Sequence, residues 1–119
     1  MAVITHSAVE VSLPLRTRST LNAREHWRER AARTREQRAV VRVRLGTVRL
    51  PLPAKVTLTR VGPRALDGDN LQGALKAVRD GVSDALGVDD GSDAVTWIYG
   101  QERGGYAVRI RVETRRSRS

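Results

Sequence analysis

Apolar side chains recur at every second position at Val9, Val11, Leu13 and Leu15, the spacing of a half-buried strand over residues 9–16. Pro14 lacks a backbone donor, which predicts a sheet edge or strand end there. From Ser19-Thr20-Leu21-Asn22 the pattern changes to NAREHWRERAARTREQRA, rich in helix formers, with Trp27, Ala31 and Thr34 on one face and Asn22 or Thr20 as cap. Val41-Arg42-Val43-Arg44-Leu45 alternates as a strand would, but the same residues also continue the helix to Gly46, and helix is the reading taken. Pro51 and Pro53 break the chain before a β-branched strand over residues 54–61, where Val56, Leu58 and Arg60 alternate with Thr57, Thr59 and Val61. Gly62-Pro63 ends it, and residues 64–70 form a polar turn. Leu71, Leu75, Val78, Val82 and Leu86 then make the clearest helical stripe in the chain, with Gly87 as its stop. Residues 94–101 and 106–113 both alternate, and Gly104-Gly105 between them reads as a hairpin turn.

The expected order is β-α-β-α-β-β, an α+β fold with a small mixed sheet of about four strands covered by two helices. A single domain over residues 1–113 is expected, followed by a basic, disordered tail at 114–119. Composition narrows the function. Of 119 residues 39% are apolar, enough for one core, and the absence of Cys excludes disulfides, thiolate zinc sites and cysteine nucleophiles. His6 and His26 are too few for a histidine-rich metal site, and His26 reads as a helix-surface residue. With only two Trp, two Tyr and no Phe, Trp27 and Trp97 read as core. No apolar run approaches a membrane span, so a soluble, cytoplasmic protein is expected, nucleoid-associated through its charge, with no organic cofactor.

The chain carries 22 Lys+Arg against 13 Asp+Glu, a net +9, and all its basic residues except Lys55 and Lys76 are Arg. Guanidinium groups fork onto phosphate and stack on bases. Residues 67–93 reverse the sign: Asp67, Asp69, Asp80, Asp84, Asp89, Asp90 and Asp93 face only Lys76 and Arg79, 2 − 7 = −5, leaving +14 for the remainder.

Carboxylates crowded inside a basic protein repel one another unless a cation neutralises them. The chemistry that wants this pattern is metal-assisted phosphodiester hydrolysis, with hard oxygen ligands for Mg²⁺ and a basic surface for the nucleic acid. Lys76 could act as a point charge on a substrate phosphate. An isolated 16-residue helix is roughly 24 Å long, so Asp67 and Asp69 meet Asp89 and Asp90 only if the chain folds back after Gly87 or if the first pair comes from the strand edge beside the returning loop. A strand–helix–strand unit permits such a return. Each residue also has a plainer reading. Asp69 or Asn70 can cap the helix, Asp89-Asp90-Gly91 can turn the chain, Lys76 and Asp80 can pair at i, i+4, and the first helix's arginines can be a solvated face.

Leu66-Asp67-Gly68-Asp69-Asn70-Leu71, a helix carrying Lys76 and Asp80, and Gly87-Val88-Asp89-Asp90 together resemble the RusA family of Holliday junction resolvases. Asn22-Ala23-Arg24-Glu25-His26-Trp27 looks like that family's N-terminal Asn and Trp region, and the similarity runs from about residue 12 to 112. The resemblance implies a homodimeric, Mg²⁺-dependent (Mn²⁺ as substitute) endodeoxyribonuclease, commonly phage or prophage encoded, that cuts four-way DNA junctions by paired symmetric incisions. It implies Asp67, Asp69 and Asp90 as metal-binding carboxylates, Asp89 as a fourth, and Lys76 in a catalytic role. The family lysine follows the second aspartate by about one helical turn, whereas Lys76 follows Asp69 by seven residues. Asn22, Arg24, Arg28, Arg64, Asn70, Lys76 and Arg79 form the expected DNA-contacting set. The competing expectations are a non-catalytic nucleic-acid-binding module of the same fold and a nuclease acting on flaps or single strands.

Overall fold

One mixed sheet carries all five strands of a computed structural model that describes residues 3–5, 8–17, 27–46, 52–89 and 91–114. In chain order the elements are β1 (Val3–Thr5), β2 (Ala8–Leu13), α1 (Trp27–Leu45), β3 (Ala54–Gly62), α2 (Gly68–Ala74), α3 (Lys76–Leu86), β4 (Val95–Arg103) and β5 (Ala107–Thr114). The sheet order is β1-β2-β5-β3-β4. The α+β class and the element order follow the sequence reading. The three-residue β1 is an addition to the four longer strands, and β5 takes in Thr114, one residue beyond the expected domain end.

Alternation puts Val9, Val11 and Leu13 of β2, Val108, Ile110 and Val112 of β5, and Ala54, Val56 and Leu58 of β3 on one face, all buried. The helices cover that face with Val41 and Leu45 of α1, Leu71 of α2 and Val78 and Val82 of α3. The opposite face is polar and laced by ion pairs: Lys55 with Glu113 at 3.0 Å, and Arg111 with Glu10 and Glu113 at 3.3 Å each. The Lys55 hydrogen bond and charge, opposed by partial burial and aided by Arg111, hold the Glu113 carboxyl below its usual range.

Two local expectations are corrected. Residues 104–105 do not close a hairpin, because β4 pairs with β3 in parallel while β5 pairs with β3 antiparallel from its other side. The link therefore vaults over the end of β3: Gly104 N–H donates to the Gly62 carbonyl at 3.0 Å, and a Cβ on Gly104 would stand 3.0 Å from Val61 Cγ1. Alternation and a Gly-Gly pair report a tight link, not the identity of each strand's neighbour. The second correction concerns the helical stripe, which begins at Gly68 and breaks at Leu75 (φ −100°, ψ 3°), whose N–H is shared between the Leu71 and Gln72 carbonyls at 3.2 Å each. The expected stop is correct, since Gly87 is left-handed at φ 69°.

The helices are tied together at the surface by Arg38 of α1, which donates from Nε and Nη2 to the two Asp84 oxygens of α3 at 2.7 and 2.8 Å. This hydrogen bond, opposed by partial burial and reinforced by the charges of Arg38 and Arg42, holds the Asp84 carboxyl below its usual range. The same bond, with the charges of Asp84 and Asp80 and against burial, raises the Arg38 guanidinium. A carboxyl depressed by folding contributes stability that is fully present above its unfolded value and is lost as pH falls through its folded one. Asp84→Asn is therefore expected to melt lower than wild type at pH 7, with the gap closing below pH ~4 in a series of thermal melts.

Candidate functional site

The chain leaves the C-terminal end of β3 at Gly62 and reaches Asp67, which is extended (φ −70°, ψ 171°) and caps α2: its Oδ1 accepts from Asn70 N–H at 3.0 Å. Asp67, not Asn70 or Asp69, is thus the cap, and Asp69 lies in the first turn, where the helix dipole favours a carboxylate. Asp67 and Asp69 are both exposed. Gln101 near the end of β4 holds the turn from the side: its Oε1 accepts from Leu66 N–H at 2.9 Å and its Nε2 donates to the Leu66 carbonyl at 2.7 Å. This two-bond clamp fixes the backbone immediately before the first aspartate, a role the sequence reading missed.

A groove of about 290 Å³ lies between α2, α3 and β4, lined by Gln72, Gly73, Lys76, Arg79 and Tyr99. Lys76 opens α3 and pairs with Asp80 at 2.8 Å. Arg79 stacks 4.5 Å from the Trp97 ring centre and donates to Tyr99 Oη at 3.0 Å, so its guanidinium is held in place along the groove. Trp97 packs against the core as expected. Trp27 does not: it is 65% exposed at the start of α1, with the Arg28 guanidinium 5.3 Å from its ring centre. Position in a helix pattern alone could not separate a core tryptophan from one on the surface. Arg64 is exposed just upstream of Asp67, and its carbonyl accepts from Arg60 Nη1 at 2.7 Å.

Asp89 stands elsewhere. Register pairs Ala54 with Val95 and Gly62 with Arg103, so Asp67 follows the C-terminal end of this parallel pair and Asp89 precedes its N-terminal end. Two contacts fix these ends: Gln101 with Leu66 at one, and Ala54 N–H to the Ala94 carbonyl, 2.7 Å, at the other. Eight residue steps at about 3.3 Å separate the ends by roughly 26 Å. A strand–helix–parallel strand unit requires this, because its helix must carry the chain back to the starting end. Asp89 is exposed and its carbonyl accepts from Ser92 N–H at 3.0 Å, opening the turn into β4. Asp90, Asn22, Arg24, His6, His26 and the tail at 115–119 lie outside the described residues. Among the described residues, no group of three or more His, Asp or Glu side chains is assembled for a metal ion within one chain, nor is any helix long and apolar enough to cross a membrane.

The donor set at the D-x-D turn nevertheless fits a hard cation. Asp67 uses one carboxylate oxygen on the cap and keeps the other, Asp69 adds two more, and Mg²⁺ is commonly held by one or two carboxylates with water and substrate phosphate completing its shell.

No family model matches the chain. Over 81 residues it is 37% identical to an uncharacterized protein of Xylella fastidiosa (strain Temecula1 / ATCC 700964), a match covering 58% of this chain and 51% of that relative. The chain thus spans about half the length of the relative it matches.

Proposed function

We propose that this protein is a Mg²⁺-dependent endodeoxyribonuclease of the RusA type that resolves four-way DNA junctions as a homodimer. The observation that carries the reading is the placement of its carboxylates. Asp67 and Asp69 sit at one end of the β3–β4 pair, beside a groove bearing Lys76 and Arg79, while Asp89, with Asp90 next to it in sequence, belongs to the other. A twofold axis that sets two such units antiparallel brings each chain's D-x-D turn to the partner's D-D turn, giving two complete sites on one dimer. A four-way junction has matching symmetry, and two equivalent sites cut opposing strands.

In each site Asp67 and Asp69 would hold the metal, which when bound would supply a water of lowered pKa and positive charge beside the phosphoryl oxygens. The Gln101 clamp keeps both carboxylates on a rigid backbone. Lys76 and Arg79 hold the strand's phosphates in the groove, and the excess of arginine elsewhere draws DNA to the protein from a distance.

A non-catalytic nucleic-acid-binding module is favoured by two observations: Asp67 already has a capping role and Lys76 an ion-pair partner. Incubating the full chain with labelled four-way junction, flap and linear duplex, in Mg²⁺ and in EDTA, separates the readings. Metal-dependent paired nicks on the junction support resolution. Cleavage confined to the flap identifies the single-strand nuclease, and salt-sensitive binding without cleavage in Mg²⁺ or Mn²⁺ identifies the module.

A further inference from the structure

Arg60 shares the covered face of β3 with Val56 and Leu58 and is only 4% exposed. Its Nε donates to Thr17 Oγ1 at 3.0 Å and its Nη1 to the Arg64 carbonyl at 2.7 Å. The guanidinium packs on Gly62 so closely that a Cβ there would lie 2.8 to 2.9 Å from it. Among the described residues no carboxylate pairs with this buried charge. A second guanidinium converges on the same place: the Tyr106 ring centre is 6.0 Å from Arg60 Cζ and 4.9 Å from Arg16 Cζ. Arg16 is exposed, and its carbonyl accepts from Gln37 Nε2 of α1 at 3.3 Å, so its backbone is anchored.

Two like charges around one ring repel each other, and a buried cation without an anion is costly. The arrangement is balanced when an anion joins it. We propose that Arg16, Tyr106 and Arg60 form a seat for one backbone phosphate of a bound nucleic-acid strand. Arg16 makes the direct contact, with a planar fork suited to two phosphate oxygens. Tyr106 holds that fork in place, and Arg60 supplies positive potential from behind. The seat lies at the C-terminal end of β3, and Arg60 is bonded to a residue three positions before Asp67, so the phosphate it holds sets the path of the strand past the D-x-D turn. This inference rests on the nucleic-acid reading above but not on cleavage.

The test is fluorescence anisotropy of the full chain with labelled junction and linear duplex in EDTA, over a salt series. Each phosphate contact contributes about 0.9 to the slope of log K against log salt, so Arg16→Ala is expected to lower the slope by about 0.9 and weaken binding about eightfold at 0.1 M salt. Arg60→Met is expected to act in the same direction, and Arg60→Lys, which keeps the charge, to stay closer to wild type. Arg111→Ala is the control, since Arg111 is engaged by Glu10 and Glu113 on the opposite sheet face. If Arg60→Met does not fold by circular dichroism, Arg16→Ala decides alone. An Arg16→Ala slope equal to wild type overturns the proposal. A lowered slope in a protein that cuts no DNA keeps the seat and removes the nuclease reading, whereas normal cleavage with an unchanged slope does the reverse. Absence of DNA binding by wild type overturns both.

Discussion

Asp69→Asn is expected to lower metal-dependent junction cleavage about a thousandfold or more, measured as the single-turnover nicking rate, while binding in EDTA is retained. Bound metal stabilises transition-state charge by several kcal/mol, and about 4 kcal/mol corresponds to a factor near 10³. Asparagine keeps the size of the side chain and removes the charge that would hold the proposed cation. Asp69 is exposed in the first turn of α2 and the cap belongs to Asp67, so the loss of stability is expected to be small. Removing a negative charge beside the DNA also lessens repulsion, and junction affinity is expected to equal or exceed that of wild type. A variant that loses cleavage and binding together would point to a disturbed fold.

The second large effect concerns stability. Leu75 is fully buried at the joint between α2 and α3, where its side chain anchors both helices to the sheet. Leu75→Ala removes that anchor and leaves a cavity, at a cost of about 2–5 kcal/mol. For a domain of this size that is a fall of roughly 10–20 °C in Tm by calorimetry or circular dichroism. The joint lies eight residues after Asp67, so the weakened α2 is also expected to lower cleavage at temperatures well below the melt.

Much of the architecture was legible because burial of one sheet face imposes a period of two. Val9, Val11 and Leu13 and Val108, Ile110 and Val112 announced their strands and their core face together. The same period placed Arg60 in phase with Val56 and Leu58, so a charged residue on the buried face was already visible as an oddity, although its partners Thr17 and the Arg64 carbonyl were not. Gln101, in phase with Trp97 and Tyr99, carried a similar signal. Strand neighbours were not legible: Gly104-Gly105 gives the same local pattern whether it closes a hairpin or crosses the end of β3. The acidic island was plain as composition, but the expectation that a strand–helix–strand unit lets its two halves meet fails, because the parallel β3–β4 register sets Asp67 and Asp89 at opposite ends. What sequence could not supply was the direction of β4 relative to β3, which fixes that separation within one chain and on which the proposed two-chain site rests.

The central claim, that junction cutting depends on sites completed between two chains, is tested most directly by mixing two inactive variants. Asp69→Asn disables one half of each site and Asp89→Asn/Asp90→Asn the other. In a mixed dimer one site receives both defects and the other receives none, so mixing restores nicking at about a quarter of the wild-type number of sites, one strand at a time. Recovery of single nicks in the co-refolded mixture, with neither parent active, is the result this account predicts. A mixture as inactive as its parents, from chains that dimerise and bind the junction, would contradict it.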